Sequence, residues 1–222
     1  MLPTGVKVFF VGCRPSVASQ SLENSDDEVN AYPRQLWDAI HLEKLVYGDL
    51  LTDELDCDDT YSGLGDKVKE FLHFTATHYA HAQYVMIADD DLYAEKPNRI
   101  NSSMYRYVLS KEQYPFSKLP PFAIGAYIFL SMDCAQFISK NRRRLRDLDG
   151  MDDMSMALWL MVIQVHAKPF GRLEHLRGGP CSDNLVALGD LSPLSIRVVH
   201  DNVLAQRRLC HGFDRYTWFK PK

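Results

Sequence analysis

An apolar run that ends in three carboxylates constrains this chain more than any other stretch. Residues 84–88, Tyr-Val-Met-Ile-Ala, have the length and the β-branched and aromatic content of a buried strand. Asp89, Asp90 and Asp91 follow directly. Adjacent carboxylates repel one another and lose solvation when covered, whereas a divalent cation such as Mg²⁺ or Mn²⁺ prefers oxygen ligands. The triplet predicts either a metal site at a strand end or a solvated acidic turn.

Composition narrows the class of protein. The 222 residues, with 46% apolar and 24% charged side chains, suffice for one α/β domain with a sizeable core. A net charge of −4, with no basic stripe interleaved with aromatic residues, gives no support to a nucleic-acid surface. The basic run Arg142–Arg144 is interpreted as a solvated helix face or as a contact for anionic lipid or phosphate. The sequence contains no apolar stretch of about 18 residues, the length that would predict a membrane span, and it shows no signal-peptide pattern.

The cysteine pattern leaves the redox state open. Five cysteines occur without a CxxC pair, so the spacing does not predict a zinc site. An odd count forbids complete internal pairing. The sequence is compatible with free thiols and with one or two disulfides.

Alternation of strand and helix patterns predicts the fold class. Residues 6–12 read as a first strand, and residues 66–80 as an amphipathic helix that leads into the strand before the aspartates. In that helix we expect Val68 and Leu72 to face the core and Lys69 to lie off the apolar face. The alternation indicates an α/β fold with a largely parallel sheet, in which ligands bind at the carboxyl ends of the strands.

The other elements are predicted from shorter patterns. We expect a loop over residues 13–36, a helix over 36–46 that ends in a short strand, a second buried strand over 122–131, helices over 132–148 and 154–165, and a strand over 196–200 followed by a helix to residue 210.

Two further acids and a histidine are candidate functional residues. Asp152 and Asp153 stand at a helix start, where carboxylates commonly cap the helix or stabilise its dipole by about 0.5–2 kcal/mol. A catalytic role for them is the alternative. His200 reads as an ordinary histidine at a strand end or as a metal ligand.

Several of these segments together resemble the eukaryotic beta-1,3-glycosyltransferases, the galactosyltransferases and their N-acetylglucosaminyltransferase relatives. The YGDLL motif and Lys67 lie within residues 43–67, and the YVMIADDD motif covers residues 84–91. Residues 110–131 resemble the family's S-K-x-x-Y-P and Y-P-P-Y segment, and Asp152–Met154 its E-D-V. Residues 196–200 resemble its late V-H element.

The resemblance implies a GT-A-like fold: a single domain over residues 1–222, with a mixed, largely parallel sheet flanked by helices. It implies an inverting enzyme that moves a hexose or N-acetylhexosamine from a UDP-sugar to a glycan hydroxyl in beta-1,3 linkage.

The same resemblance implies the site residues. Mn²⁺ would be held by Asp91 and His200, and the nucleotide sugar would be bound by Asp89, Asp90 and Lys67. The metal would neutralise charge on the UDP leaving group. Asp153 would be the general base that deprotonates the acceptor hydroxyl.

Location and partners are also implied only by the resemblance. The expected donor is a UDP-sugar, and the expected acceptor is a glycan of a glycoprotein or glycolipid on the lumenal side of the Golgi membrane. Because no anchor or stem is visible in the sequence, we expect an N-terminally incomplete catalytic domain that contacts the membrane only through such an anchor.

The chain departs from the family pattern at several positions. Gly63-Leu64-Gly65 replaces the family's N-L-T, Ile87 replaces the lysine before the triplet, and Asp152 replaces a glutamate. Two hypotheses follow: an active transferase, and a non-catalytic relative that serves as a glycan- or partner-binding module. The transferred sugar stays open among galactose, N-acetylgalactosamine and N-acetylglucosamine.

Overall fold

The computed structural model describes residues 5–15, 31–88, 109–116, 118–123, 127–165, 168, 173–175, 187–189 and 193–212. The five helices in these ranges are α1 (Ala31–Tyr47), α2 (Leu64–His78), α3 (Met132–Asn141), α4 (Asp152–Met161) and α5 (Pro193–Leu204). None of these five described helices is both long and apolar enough to cross a membrane.

The strands are short and pair two by two. They are β1 (Phe10–Val11), β2 (Arg14–Pro15), β3 (Leu50–Leu51), β4 (Asp58–Asp59), β5 (Tyr84–Ala88), β6 (Tyr127–Ser131), β7 (Leu173–His175) and β8 (Ala187–Gly189). The pairs β1–β3, β2–β4 and β7–β8 are parallel, and β5 pairs with β6. Helices alternating with small parallel sheets agree with the predicted α/β class.

The chain forms two compact units. One consists of Met1–Val85 with Leu130–Val162, and the other of Met86–Phe129 with Ile163–Lys222. The GT-A-like single domain over residues 1–222 stays a prediction.

A disulfide lies in one hydrophobic cluster of the first unit. Cys13 and Cys57 are bonded, and both are buried with Leu51 and Leu55. Cys13 lies just before β2, and Cys57 just before β4, so the bond reinforces the pairing of these two strands. Cys210 is also disulfide-bonded, and Cys134 is a buried free thiol. The sequence could not choose this pairing, because it depends on which strands become neighbours.

Helix α2 is the centre of the first unit and packs against α3 and α4. Its buried residues include Val68, Leu72 and Thr75, as the helical spacing predicts. The expectation for Lys69 was wrong: its residue is only 6% exposed. Partners distant in sequence account for this, because Asp147 neutralises the ammonium inside the protein.

The segment between α3 and α4, residues 142–151, is called the α3–α4 connection below. It replaces the second half of the helix predicted over residues 132–148, since α3 ends at Asn141. The connection begins with turns in which the amides of Arg144 and Leu145 donate to the carbonyl of Asn141. It ends at Gly150 and Met151, directly before α4. Arg142 is paired with Glu70, while Arg143 and Arg144 are exposed, which agrees with a solvated basic face.

Several predicted elements differ from the structure. The stretch 36–46 is helical throughout, because α1 begins at Ala31 and continues to Tyr47. The strand β5 is only half-buried: Val85 is buried, whereas Tyr84 is 66% exposed. The strand β6 shows the same alternation. A continuous apolar run therefore does not indicate burial on both faces here, and the side chains alternate as in any strand.

Residues 196–200 were predicted as a strand and are in fact part of α5. Their β-branched residues have only a weak preference against helix, so a strand-like composition does not exclude a helix here. Buried Asn202 fixes the end of the helix, because its Nδ2 donates to the carbonyls of Leu209 at 3.2 Å and His211 at 2.9 Å.

Candidate functional site

Lysine 67 lies in the first turns of α2 and reaches the adjacent strand β4. Its Nζ lies 2.6 Å from Oδ1 of Asp59. The lysine side chain is 20% exposed and the carboxylate 52%, so water reaches the pair. The turn before α2 is closed by the Gly63 amide, which donates to Oγ1 of Thr60 at 3.1 Å. Lys67 is thus presented at a solvent-accessible position beside an acid.

Two carboxylates occupy the first turn of α4. Asp152 and Asp153 are both partly buried, and Oδ1 of Asp153 accepts a hydrogen bond from the amide of Met154 at 2.7 Å. This bond satisfies one of the free amides at the helix start. The N-cap position itself is Met151, which has no side-chain cap, so neither acid is the N-cap residue that the sequence offered as one alternative.

The starts of α2 and α4 are in direct contact. The amide of Gly150 donates to the carbonyl of Ser62 at 3.4 Å. Gly150 has a φ of +69°, and a Cβ there would lie 2.6 Å from Cε1 of Tyr61. The tyrosine ring therefore packs against a backbone that only glycine allows to come so close.

This contact brings Asp152 within range of the charge of Lys67. Burial raises the pKa of Asp152 above its ordinary value, and the charge of Lys67 opposes that rise. We call Asp59, Lys67, Asp152 and Asp153 the helix-start site. The site combines one cation with three carboxyl groups that differ in exposure, which is an arrangement able to bind an anion and to accept a proton.

The other predicted site residues are only partly described. Asp89, Asp90 and Asp91 lie outside the described residues. His200 lies on α5, where its side chain is 66% exposed and its Nδ1 is 3.8 Å from Oδ1 of Asp201. It is therefore in a helix rather than at the predicted strand end. In the part of the chain that the structure describes, no three His, Cys, Asp or Glu side chains come together in a group that could hold a metal ion.

The sequence missed some of the residues around the site. Asp59 was not among the candidate residues singled out in the sequence, whereas Asp152 was a candidate there beside Asp153. Asp147, the buried partner of Lys69, carried no signal at all in its local pattern. For Lys69 the available signal was its spacing, because it lies four residues after Gly65 and three before Leu72, on the same side of the helix.

Comparison with known proteins yields distant relatives. No protein-family model matches the chain. Beta-1,3-galactosyltransferase 1 of Homo sapiens is 27% identical over 169 residues, which is 65% of this chain and 49% of the relative. UDP-GalNAc:beta-1,3-N-acetylgalactosaminyltransferase 2 of Xenopus tropicalis is 24% identical over 127 residues, 47% of this chain and 25% of the relative. Hydroxyproline O-galactosyltransferase GALT2 of Arabidopsis thaliana is 27% identical over 111 residues, 49% of this chain and 16% of the relative.

These matches confirm the resemblance to the beta-1,3-glycosyltransferases that the motifs indicated. The chain spans about half the length of the beta-1,3-galactosyltransferase 1 proteins that it matches. The names of these relatives describe glycosyl transfer by those proteins.

Proposed function

We propose that this chain is a glycosyltransferase with a GT-A-like fold. It would move a hexose or N-acetylhexosamine from a UDP-sugar to a glycan hydroxyl, in beta-1,3 linkage, with inversion and with Mn²⁺. Glycosyl transfer is named in the descriptions of all three kinds of relative, and two of those names specify a beta-1,3 activity.

One structural observation carries the proposal. The segment around Lys67 and the segment Asp152–Met154 match separate motifs of the family, and the backbone bond from Gly150 to Ser62 joins their starts. This contact between two motifs far apart in sequence supports the proposal that they serve one site, as residues that act on one substrate must.

The helix-start site supplies groups suited to this reaction. Asp153 is the proposed general base: it takes the proton of the acceptor hydroxyl as that oxygen attacks the anomeric carbon. The bond from that carbon to the UDP oxygen breaks on the opposite face, which inverts the configuration. Lys67 is positioned to bind phosphate oxygens as a point charge, and exposed Asp59 holds it until an anion arrives.

Asp152 is a second candidate for the general base. Its raised pKa has burial as the main cause. A carboxyl whose pKa is raised holds a proton more readily than an ordinary aspartate does. The roles of Asp152 and Asp153 are separable, because each can be replaced by the isosteric asparagine.

The proposed metal ligands are Asp91 and His200, with Asp89 and Asp90 toward the nucleotide. An exposed imidazole such as that of His200 is sterically free to bind an ion. A bound divalent cation would neutralise the negative charge that develops on the departing diphosphate.

The partners and location form part of the same proposal. The donor is a UDP-sugar, and the acceptor is a glycan of a glycoprotein or glycolipid in the Golgi lumen. Attachment to the Golgi membrane would require a segment outside the described helices.

The test is UDP release from UDP-galactose, UDP-N-acetylgalactosamine and UDP-N-acetylglucosamine in the presence of Mn²⁺ and a panel of glycan acceptors. We expect Asp153→Asn to lower the acceptor-dependent rate by about 10²–10⁴-fold while the Kd for UDP is unchanged. The matched control is Asp133→Asn, which makes the same change in the exposed first turn of α3. Loss of UDP binding together with activity would indicate that Asp153 only stabilises the helix start.

A further inference from the structure

A buried group of charges lies beside the helix-start site and has no part in the proposed reaction. Nζ of Lys69 contacts Oδ2 of Asp147 at 2.7 Å and Oδ1 of Asp66 at 2.8 Å. The lysine side chain is 8% exposed and that of Asp147 18%, whereas Asp66 is 61% exposed. Because Asp66 and Lys69 belong to α2 and Asp147 to the α3–α4 connection, these charges tie the two segments together.

The same lysine and the tryptophan above it hold the connection by its backbone. Nζ of Lys69 donates to the carbonyl of Leu145 at 3.3 Å, and Nε1 of Trp159 donates to the carbonyl of Arg146 at 2.8 Å. The ammonium also lies 5.7 Å from the centre of the Trp159 ring. The carbonyls of Leu145 and Arg146 and the side chain of Asp147 are thus anchored to α2 and α4.

A buried serine completes the anchoring up to the proposed base. The amide of Leu148 donates to Oγ of Ser155 at 2.9 Å, and that Oγ donates to the carbonyl of Met151 at 2.6 Å. Asp152 and Asp153 follow immediately. Whatever loosens the connection therefore also loosens the start of α4.

Asp147 is the member of the group whose charge is poorly accommodated. Its Oδ1 is buried without a hydrogen-bond partner. Burial raises the pKa of Asp147 to about 6, with Lys69 opposing the rise and Asp66 adding to it. The charged groups that act on it, Lys69 and Asp66, both come from α2, while α4 contributes the uncharged Trp159 and Ser155.

We propose that Lys69, Asp66 and Asp147 form a proton-responsive clamp on the α3–α4 connection, which holds the start of α4 more firmly when Asp147 carries a proton. The clamp makes Asp147 and Lys69 positioning residues for the acids of α4. Its link to catalysis rests on the proposed function, but its effect on the connection does not.

The direction of the effect follows from linkage. The pKa of Asp147 is raised in the closed structure relative to 3.8 in an opened segment, so the proton binds the closed form more tightly. The connection is therefore held most firmly at and below about pH 4, and it opens more easily as the pH rises from there to about 6, above which the effect is complete. The pKa of Asp66 is lowered, so its own titration falls below this window.

The test is amide hydrogen exchange of peptides that cover residues 148–156, corrected for intrinsic rates, between about pH 4.5 and about 7.5. The exchange rates give the equilibrium constant for local opening of this segment, called the opening constant. In the wild-type chain the opening constant should increase by up to about tenfold per pH unit until it levels above about pH 6. Asp147→Asn should remove most of this increase, leaving the smaller share contributed by Asp152. Asp56→Asn is the control, because it makes the same change in an exposed ion pair with Arg14 and should exchange like the wild type.

Two results would overturn the clamp: an opening constant that does not change with pH in the wild type, or an equal pH dependence in Asp147→Asn. Where Asp147→Asn does not fold, titration of the Asp147 carboxyl carbon by NMR in the wild-type chain decides. A midpoint near 6 supports the clamp, and a midpoint at or below about 4 contradicts it. Neither measurement involves a UDP-sugar or Mn²⁺, so failure of the clamp is distinguishable from failure of the transferase proposal.

Discussion

Helix α2 contacts the chain around it through two lysines that differ in how far water reaches them. The first, Lys67, pairs with Asp59, and both side chains are accessible to solvent. The second, Lys69, pairs with Asp147, and both are largely buried. Because the effective dielectric constant is high at the surface and low inside, the first pair can exchange its carboxylate for an anionic ligand, whereas the second cannot be separated without a large cost. We therefore propose that two identical side chains, two positions apart, have different roles: Lys67 in binding and Lys69 in positioning.

Replacement of the buried lysine should have the largest effect on stability. Lys69→Met leaves Asp147 inside the protein without its cation, and we expect the free energy of unfolding to fall by about 3–5 kcal/mol. Urea denaturation at pH 7 measures this. Lys140→Met, an exposed lysine on α3, should change it by less than about 0.5 kcal/mol. Equal losses in the two variants would remove the contrast between buried and exposed lysines.

The contact between the two helix starts should give an intermediate effect. In Gly150→Ala the added Cβ meets the Tyr61 ring, and the alanine must adopt a φ of +69°. We therefore expect the free energy of unfolding to fall by about 1–3 kcal/mol. Gly48→Ala is the control: its φ is +65° and nothing lies within 4 Å of the added atom. The difference between the two variants isolates the Tyr61 contact. No difference would mean that backbone strain alone accounts for the loss.

The smallest effect on stability is expected at the exposed lysine. Lys67→Met breaks only a solvated ion pair with Asp59, so the free energy of unfolding should change by less than about 1 kcal/mol. Binding of UDP, measured by calorimetry, should nevertheless weaken by about tenfold because a phosphate contact is lost. Unchanged UDP binding would exclude Lys67 from the donor site.

The sequence predicted the parts of this molecule that depend on local pattern. The apolar spacing of α2 is visible at Val68 and Leu72, and their burial is confirmed. The acids at the start of α4 were also recognised from their position before an apolar helix. Both inferences need only the 3.6-residue period and the chemistry of a helix end.

Features that depend on partners distant in sequence were not predictable in the same way. Burial of Lys69 requires Asp147, and the Cys13–Cys57 bond requires that β2 and β4 become neighbours. The helix around His200 shows the same limit from the other side, since its β-branched residues locally favour a strand. Local preference is overruled wherever the tertiary structure provides a better set of contacts.

The proposed transferase activity depends most on whether the chain binds a UDP group through a divalent cation. Isothermal titration of the wild-type chain with UDP, with Mn²⁺ and then with Mn²⁺ removed by EDTA, tests this directly, and Asp91→Ala tests the proposed ligand. We expect UDP binding in the presence of Mn²⁺ that weakens by at least about tenfold in EDTA and in Asp91→Ala. UDP binding that is absent, or that is indifferent both to Mn²⁺ and to Asp91→Ala, would contradict the proposed transferase.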